Sequence, residues 1–137
     1  KNKKSILKII ENRNNIDLII SPEKIWNEFS NSDLVICNAG NTLFELAILG
    51  IPSISIPAFK HEVEYSREFE KNKFSINLEK PTSRKIQLFV EKILKNSKYR
   101  RSASQCGKKI VDGKGLSRVL KIITQYSEIE SRKTHIQ

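Results

Sequence analysis

Apolar residues along this chain fall in short clusters whose spacing alternates between two periods. Ser5 to Glu11 sets Ile6, Leu7, Ile9 and Ile10 among lysines, the spacing of a short amphipathic helix, and Asn12-Arg13-Asn14-Asn15 stops it. Ile16–Ile20 is apolar except for Asp17 and predicts a strand. Ser21-Pro22-Glu23 has the form of a helix start: a cap residue, Pro at the first helical position, then an acid. That helix carries Ile25, Trp26 and Phe29 on one face and ends near Asn31-Ser32. Leu34–Cys37 is an unbroken apolar run, which predicts a strand buried on both faces. A helix over Thr42–Leu49 follows, closed by Gly50, and then a strand over Ser53–Ile56 between Pro52 and Pro57.

The second half continues the alternation. His61–Lys73 is charged and helix-compatible, with Val63, Tyr65 and Phe69 as its apolar positions. Phe74–Leu78 predicts a fourth strand. Thr82–Leu94 predicts a helix with Ile86, Phe89, Val90, Ile93 and Leu94 inward. Lys98–Ile110 and Leu116–Tyr126 predict two more helices, split by Asp112-Gly113-Lys114-Gly115, and 130–137 predicts a frayed tail. Strands separated by helices of about ten residues indicate βαβ units and a parallel sheet. The expected fold is α/β, a Rossmann-like doubly wound sheet with helices on both faces.

Composition narrows this picture. The chain has 137 residues, enough for one domain, so 1–137 is read as a single unit with 97–129 as its C-terminal helices. It begins at Lys1 and contains no Met, so it is expected to be processed or a piece of something longer. Hydrophobic content of 38% is low for a globular protein but above that of disordered chains. No apolar run approaches the roughly 20 residues of a membrane span, and none has the form of a signal peptide. Cys37 and Cys106 are far apart, with no CxxC and no His cluster. Neither a disulfide scaffold nor a zinc site is expected, and two free thiols fit a reducing, cytoplasmic setting.

The formal charge is +10, which invites a nucleic-acid or anionic-ligand reading. Residues 98–121 carry eight of the basic residues (Lys98, Arg100, Arg101, Lys108, Lys109, Lys114, Arg118 and Lys121) against Asp112 alone. Solvated faces explain this as well. Against a nucleic-acid module stand the lack of a recognisable motif and the few aromatics, mostly on predicted core faces.

Candidate chemistry concentrates in Ser32–Pro57, SDLVICNAGNTLFELAILGIPSISIP. A strand runs into the small turn Asn38-Ala39-Gly40, and a helix begins at Asn41-Thr42. In open α/β sheets ligands sit at the carboxyl ends of strands. A helix N-terminus there offers unpaired N–H groups and about half a positive charge, a phosphate site. Gly40 lets the backbone approach phosphate oxygens, and Asn41 or Thr42 caps the helix or donates to the phosphate. Glu45, three residues after Thr42, suits the vicinal hydroxyls of a ribose. Thr42-x-x-Glu45 is equally the spacing of a capping box, which needs no ligand.

The NAGNTLFE turn, the Leu49-Gly50 step and the PSISIP strand resemble the C-terminal half of GT-B enzymes that use UDP-sugars. The likeness is nearest to the UDP-sugar hydrolases of pseudaminic-acid biosynthesis and the related spore-coat polysaccharide proteins. The peptidoglycan UDP-N-acetylglucosamine transferase is a more distant relative. Val111-Asp112-Gly113-Lys114-Gly115 followed by Arg118-Val119 is a second point of likeness, toward the hydrolase branch. The resemblance implies that Asn38, Ala39, Gly40, Asn41 and Thr42 line a UDP diphosphate. It implies that Glu45 holds the ribose, and that His61 and Glu62 face the sugar or the cleft. The hydrolase group has an Asn-Gln pair where this chain has Phe59-Lys60-His61-Glu62, and a lone loop His is also the pattern of a solvated side chain. The GT-B pattern places two strands before Ile16–Ile20, and an N-terminal domain bearing the hydrolases' catalytic His. The resemblance therefore implies a fragment that binds a nucleotide weakly and catalyses nothing alone. It implies no cofactor and no metal, with the UDP-sugar and the missing domain, or a subunit completing the sheet, as partners.

Overall fold

The computed structural model describes residues 2–134, with side chains through 126. The elements in chain order are α1 (Lys3–Ile10), α2 (Ile25–Ser30), β1 (Val35–Cys37), α3 (Asn41–Leu49), β2 (Ser53–Ser55), α4 (Lys60–Lys71), β3 (Ser75–Asn77), α5 (Ser83–Leu94), α6 (Ser97–Ile110) and α7 (Gly115–Thr134). The strands form a parallel sheet in the order β1-β2-β3. Val35, Ile36 and Cys37 face Ser53, Ile54 and Ser55, which in turn face Ser75, Ile76 and Asn77.

Successive residues of a strand point to opposite faces, so this register sorts the core into two layers. Val35 and Cys37 pack with Leu43, Leu46 and Ala47 of α3, Phe69 of α4 and Phe74. On the other face, Ile54 packs with Leu78, with Ile86, Phe89, Val90 and Ile93 of α5, and with Tyr99 of α6. Helices cover both faces, as the alternating pattern predicts.

Two glycines allow the tight passages. Gly50 takes φ 73°, and its N–H donates to Ala47 O while Ile51 N–H donates to Leu46 O, which closes α3 and turns the chain into β2. Gly107 lets α6 lie against α3: a Cβ there would sit 2.5 Å from the Phe74 ring and 2.9 Å from Ala47 O.

Several expectations need correction. Ile16–Ile20 is not a strand, and Ile16, Ile19 and Ile20 are exposed. A strand exists only by pairing, and this segment pairs with nothing in the sheet. β1 is an edge: Val35 N–H donates to Pro52 O and Cys37 O accepts from Ile56 N–H, so the main-chain groups of Ile36 face away from β2. The side chain of Ile36 is 44% exposed, so β1 is not covered on both faces. The helix expected from Ser21-Pro22-Glu23 starts only at Ile25, after Lys24, whose backbone at φ −135° and ψ 77° is not helical. Of its three apolar residues only Phe29 is buried, and Trp26 is 53% exposed. The tail expected over 130–137 is helical through Thr134, and 135–137 lie outside the described residues. Among the described residues no helix is long and apolar enough to cross a membrane.

The close approach at Gly107 yields a test. Gly107→Ala pushes α6 off Phe74 and is expected to lower stability by about 1–3 kcal/mol, read from the urea midpoint. An unchanged midpoint would mean that α3 and α6 do not pack this closely.

Candidate functional site

The turn after β1 is built by one buried and one absent side chain. Ala39 is wholly buried, main chain included, with its methyl in the core beside Leu43. Gly40 is the N-cap of α3, at φ −88° and ψ −152°. That backbone suits any residue, so Gly40 answers a need for space. A Cβ there would lie 3.1 Å from Glu62 Oε1 and 3.3 Å from Asn38 Nδ2.

The helix starts one residue earlier than the capping roles given to Asn41 and Thr42 require. Asn41 is its first residue, and Leu43 N–H already donates to Gly40 O. The capping box does not form, because Thr42 is inside the helix and Glu45 is in its second turn. No side chain caps α3. By contrast, Thr82 Oγ1 accepts from Lys85 N–H on α5, and Asn96 Oδ1 accepts from Tyr99 N–H on α6. The short helices α1 and α2 also lack a side-chain cap but follow no strand, and α4, which follows β2, gets none from its N-cap residue Phe59 either. The start of α3 therefore combines a bare N-terminus with the carboxyl end of a parallel strand.

Glu62 holds the turn in place. Its side chain is buried on α4. Oε1 accepts from Asn38 Nδ2 at 3.1 Å, and Oε2 accepts from Ala58 N–H at 2.7 Å and Phe59 N–H at 3.4 Å. One carboxylate thus caps its own helix and ties the loop after β2 to the turn after β1. It also acts on Cys37, whose thiol is pushed up to about 12, first by burial and then by the Glu62 charge.

The remaining predicted residues lie around this knot. Asn41 is exposed and Thr42 partly so. Glu45 is exposed and lies beside Trp26 in a shallow cleft of about 220 Å³ with Ile48 and Leu49. Its position on α3 puts it one turn from Asn41 and Thr42 on the same side of the helix. His61 is exposed in the first turn of α4 and stacks on Phe59, with ring centroids 5.8 Å apart and planes within 6°. The structure brings Asn38, Gly40 and Glu62 into contact, sets His61 on the loop they anchor, and leaves Glu45 outside that network.

Two residues here escape sequence reasoning. Trp26 reads as core, yet it flanks Glu45. Phe59 reads as loop, though a large aromatic between Pro57 and a charged helix was the available signal. Asp112-Gly113-Lys114-Gly115 lies elsewhere in the chain and is held locally. Asp112 accepts from Lys114 N–H and pairs with Arg118, and these two contacts, the backbone one first, hold its carboxyl below the usual range. Among the described residues no group of three or more His, Cys, Asp or Glu is placed to hold a metal ion.

The high thiol pKa of Cys37 has a direct consequence. At pH 8 the folded chain is expected to resist iodoacetamide at Cys37, and to react there once urea unfolds it, with labelling mapped by mass spectrometry. Rapid labelling of folded Cys37 would contradict its placement beside Glu62.

Residues 6–116 match the model of the family described as the glycosyltransferase family 28 C-terminal domain. No curated protein and no solved structure matches the chain.

Proposed function

The chain belongs to the glycosyltransferase family 28 C-terminal domain family, and from that premise we propose that it is the UDP-sugar-binding half of a GT-B enzyme. The observation that carries this reading is the bare start of α3 at the carboxyl end of β1. Amides of the Gly40–Thr42 segment and the positive pole of the helix receive the diphosphate. Asn38 and the main chain of Ala39 shape the turn around it. Glu45 accepts hydrogen bonds from the ribose hydroxyls, one helical turn along. His61, stacked on Phe59, and the loop anchored by Glu62 border the sugar side. Glu62 acts there as a positioning residue, since both of its oxygens already serve protein donors.

The reaction of the whole enzyme is attack at the anomeric carbon of the sugar, with UDP leaving. Charge develops on the diphosphate as the bond breaks, and fixed amides at α3 stabilise it without rearranging. The group that activates the acceptor, sugar or water, lies in a partner half, so this chain alone binds and does not turn over. The Asp112–Arg118 segment supports the hydrolase branch by its likeness only, because its contacts are those of a turn between helices.

The basic surface supports a nucleic-acid reading less well than its charge suggests. Arg100 donates to the carbonyls of Ile93 and Leu94 at the end of α5, and Arg118 pairs with Asp112. Two of the cations in the cluster are therefore committed to the fold.

Calorimetric titration tests the proposal. UDP is expected to bind the wild-type chain, and Glu45→Ala, an exposed change that spares the fold, to weaken it by about tenfold. Equal affinity in the variant, or no binding to the wild type, would contradict the assignment.

A further inference from the structure

Helix α3 carries an exposed stripe that leads away from its bare start. Asn41, Glu45 and Ile48 are four and three residues apart, so they share one face, and all three are exposed. From Asn41 to Ile48 the stripe runs about 10 Å along the axis. Its chemistry changes in order, from free amides and a positive pole, to a carboxylate one turn on, to an apolar side chain near the end of the second turn.

Helix α2 walls the far part of this stripe. Trp26 borders the cleft of about 220 Å³ that also takes in Glu45, Ile48 and Leu49. Phe29, three residues further along α2, is buried in the core with Leu43 and Leu46 of α3. That anchor holds α2 against α3, while Trp26 joins neither core layer. An indole brings a large apolar area, and here that area is left open on a cleft wall.

The make-up of the cleft bears on what it takes. Glu45 is the one ionisable group among the four residues around it, so a phosphate is repelled there and a neutral ring is not. Trp26, Ile48 and Leu49 offer apolar walls to a flat aromatic body. A dry cavity of about 150 Å³ takes one benzene ring, so the space admits a six-membered base.

We propose that Trp26 is the stacking platform for the base of the bound nucleotide, with Ile48 against the same ring. The inference rests on the nucleotide reading: it takes the diphosphate at Gly40–Thr42 and the ribose at Glu45 as given, and assigns the third group. A nucleoside diphosphate laid along α3 meets the stripe part by part, with phosphates at the positive pole, hydroxyls at the carboxylate and the base at Trp26 and Ile48. In the reverse orientation the phosphates would meet Glu45 and the base would cover unpaired amides, so the order of groups along α3 fixes the direction of the ligand.

The chain has a single Trp, so its fluorescence reports on this position alone. The test is titration of the 137-residue chain with UDP and with inorganic pyrophosphate, reading Trp fluorescence and amide chemical shifts together. UDP is expected to quench Trp26 saturably, and pyrophosphate to move the amides of residues 40–42 without quenching. Trp26→Ala should weaken UDP by about tenfold and leave pyrophosphate affinity unchanged, while Trp26→Phe keeps UDP affinity close to that of the wild type. UDP that moves the amides of 40–42 without quenching, or that binds Trp26→Ala as tightly as the wild type, would overturn the platform and leave the diphosphate site standing. Quenching by pyrophosphate equal to that by UDP would overturn it too, since the ring would not be the cause. If neither ligand moves those amides, the nucleotide reading falls and this inference falls with it.

Discussion

The buried carboxylate of Glu62 is the constraint on which the rest of the site depends. A carboxylate out of water is costly unless donors replace its hydration, and here the Asn38 amide and two main-chain N–H groups do so. Because those donors come from two different βα connections, satisfying one charge fixes both loops at once. The space it takes leaves a side chain at position 40 only a tight fit, 3.1 Å from Glu62 Oε1. Its reach back to Phe59 starts α4 and sets Phe59 and His61 where they stack. Burial first, and then this same charge, push the Cys37 thiol up at the end of β1. The start of α3 is left without a side-chain cap, in the position where an α/β sheet offers its ligand site.

Much of this was legible in the sequence because it is local. The predicted strand segments Leu34–Cys37, Ser53–Ile56 and Phe74–Leu78 are short and bounded by turn residues, and each holds a strand. The amphipathic periods of α5 and α6 and the stop at Gly50 are equally short-range signals. The segments that misled are those whose fate depends on a neighbour. Ile16–Ile20 is more apolar than β2, but an extended segment becomes a strand only when a ladder receives it. Ile36 and Trp26 look like core by composition and are exposed because no element of the described structure covers them.

The site divides in the same way. The strand, turn and helix around Gly40 were readable, since they rest on spacing along the chain. The position of the cap was missed by one residue, and the capping-box alternative fell with it. The part played by Glu62 was not readable, because it arises from partners 24 and 4 residues away that meet only in the folded sheet. The basic cluster shows the converse. Its charge is plain in the sequence, yet Arg100 and Arg118 spend theirs on a helix end and a turn.

The central claim is that the bare start of α3 receives a diphosphate. Amide chemical shifts of residues 40–42 under saturating UDP, compared with uridine at the same concentration, test it most directly. The account predicts that UDP moves these amides, as new hydrogen bonds to phosphate oxygens form, and that uridine leaves them in place. Equal responses to UDP and uridine at residues 40–42, or no response to either, would contradict it.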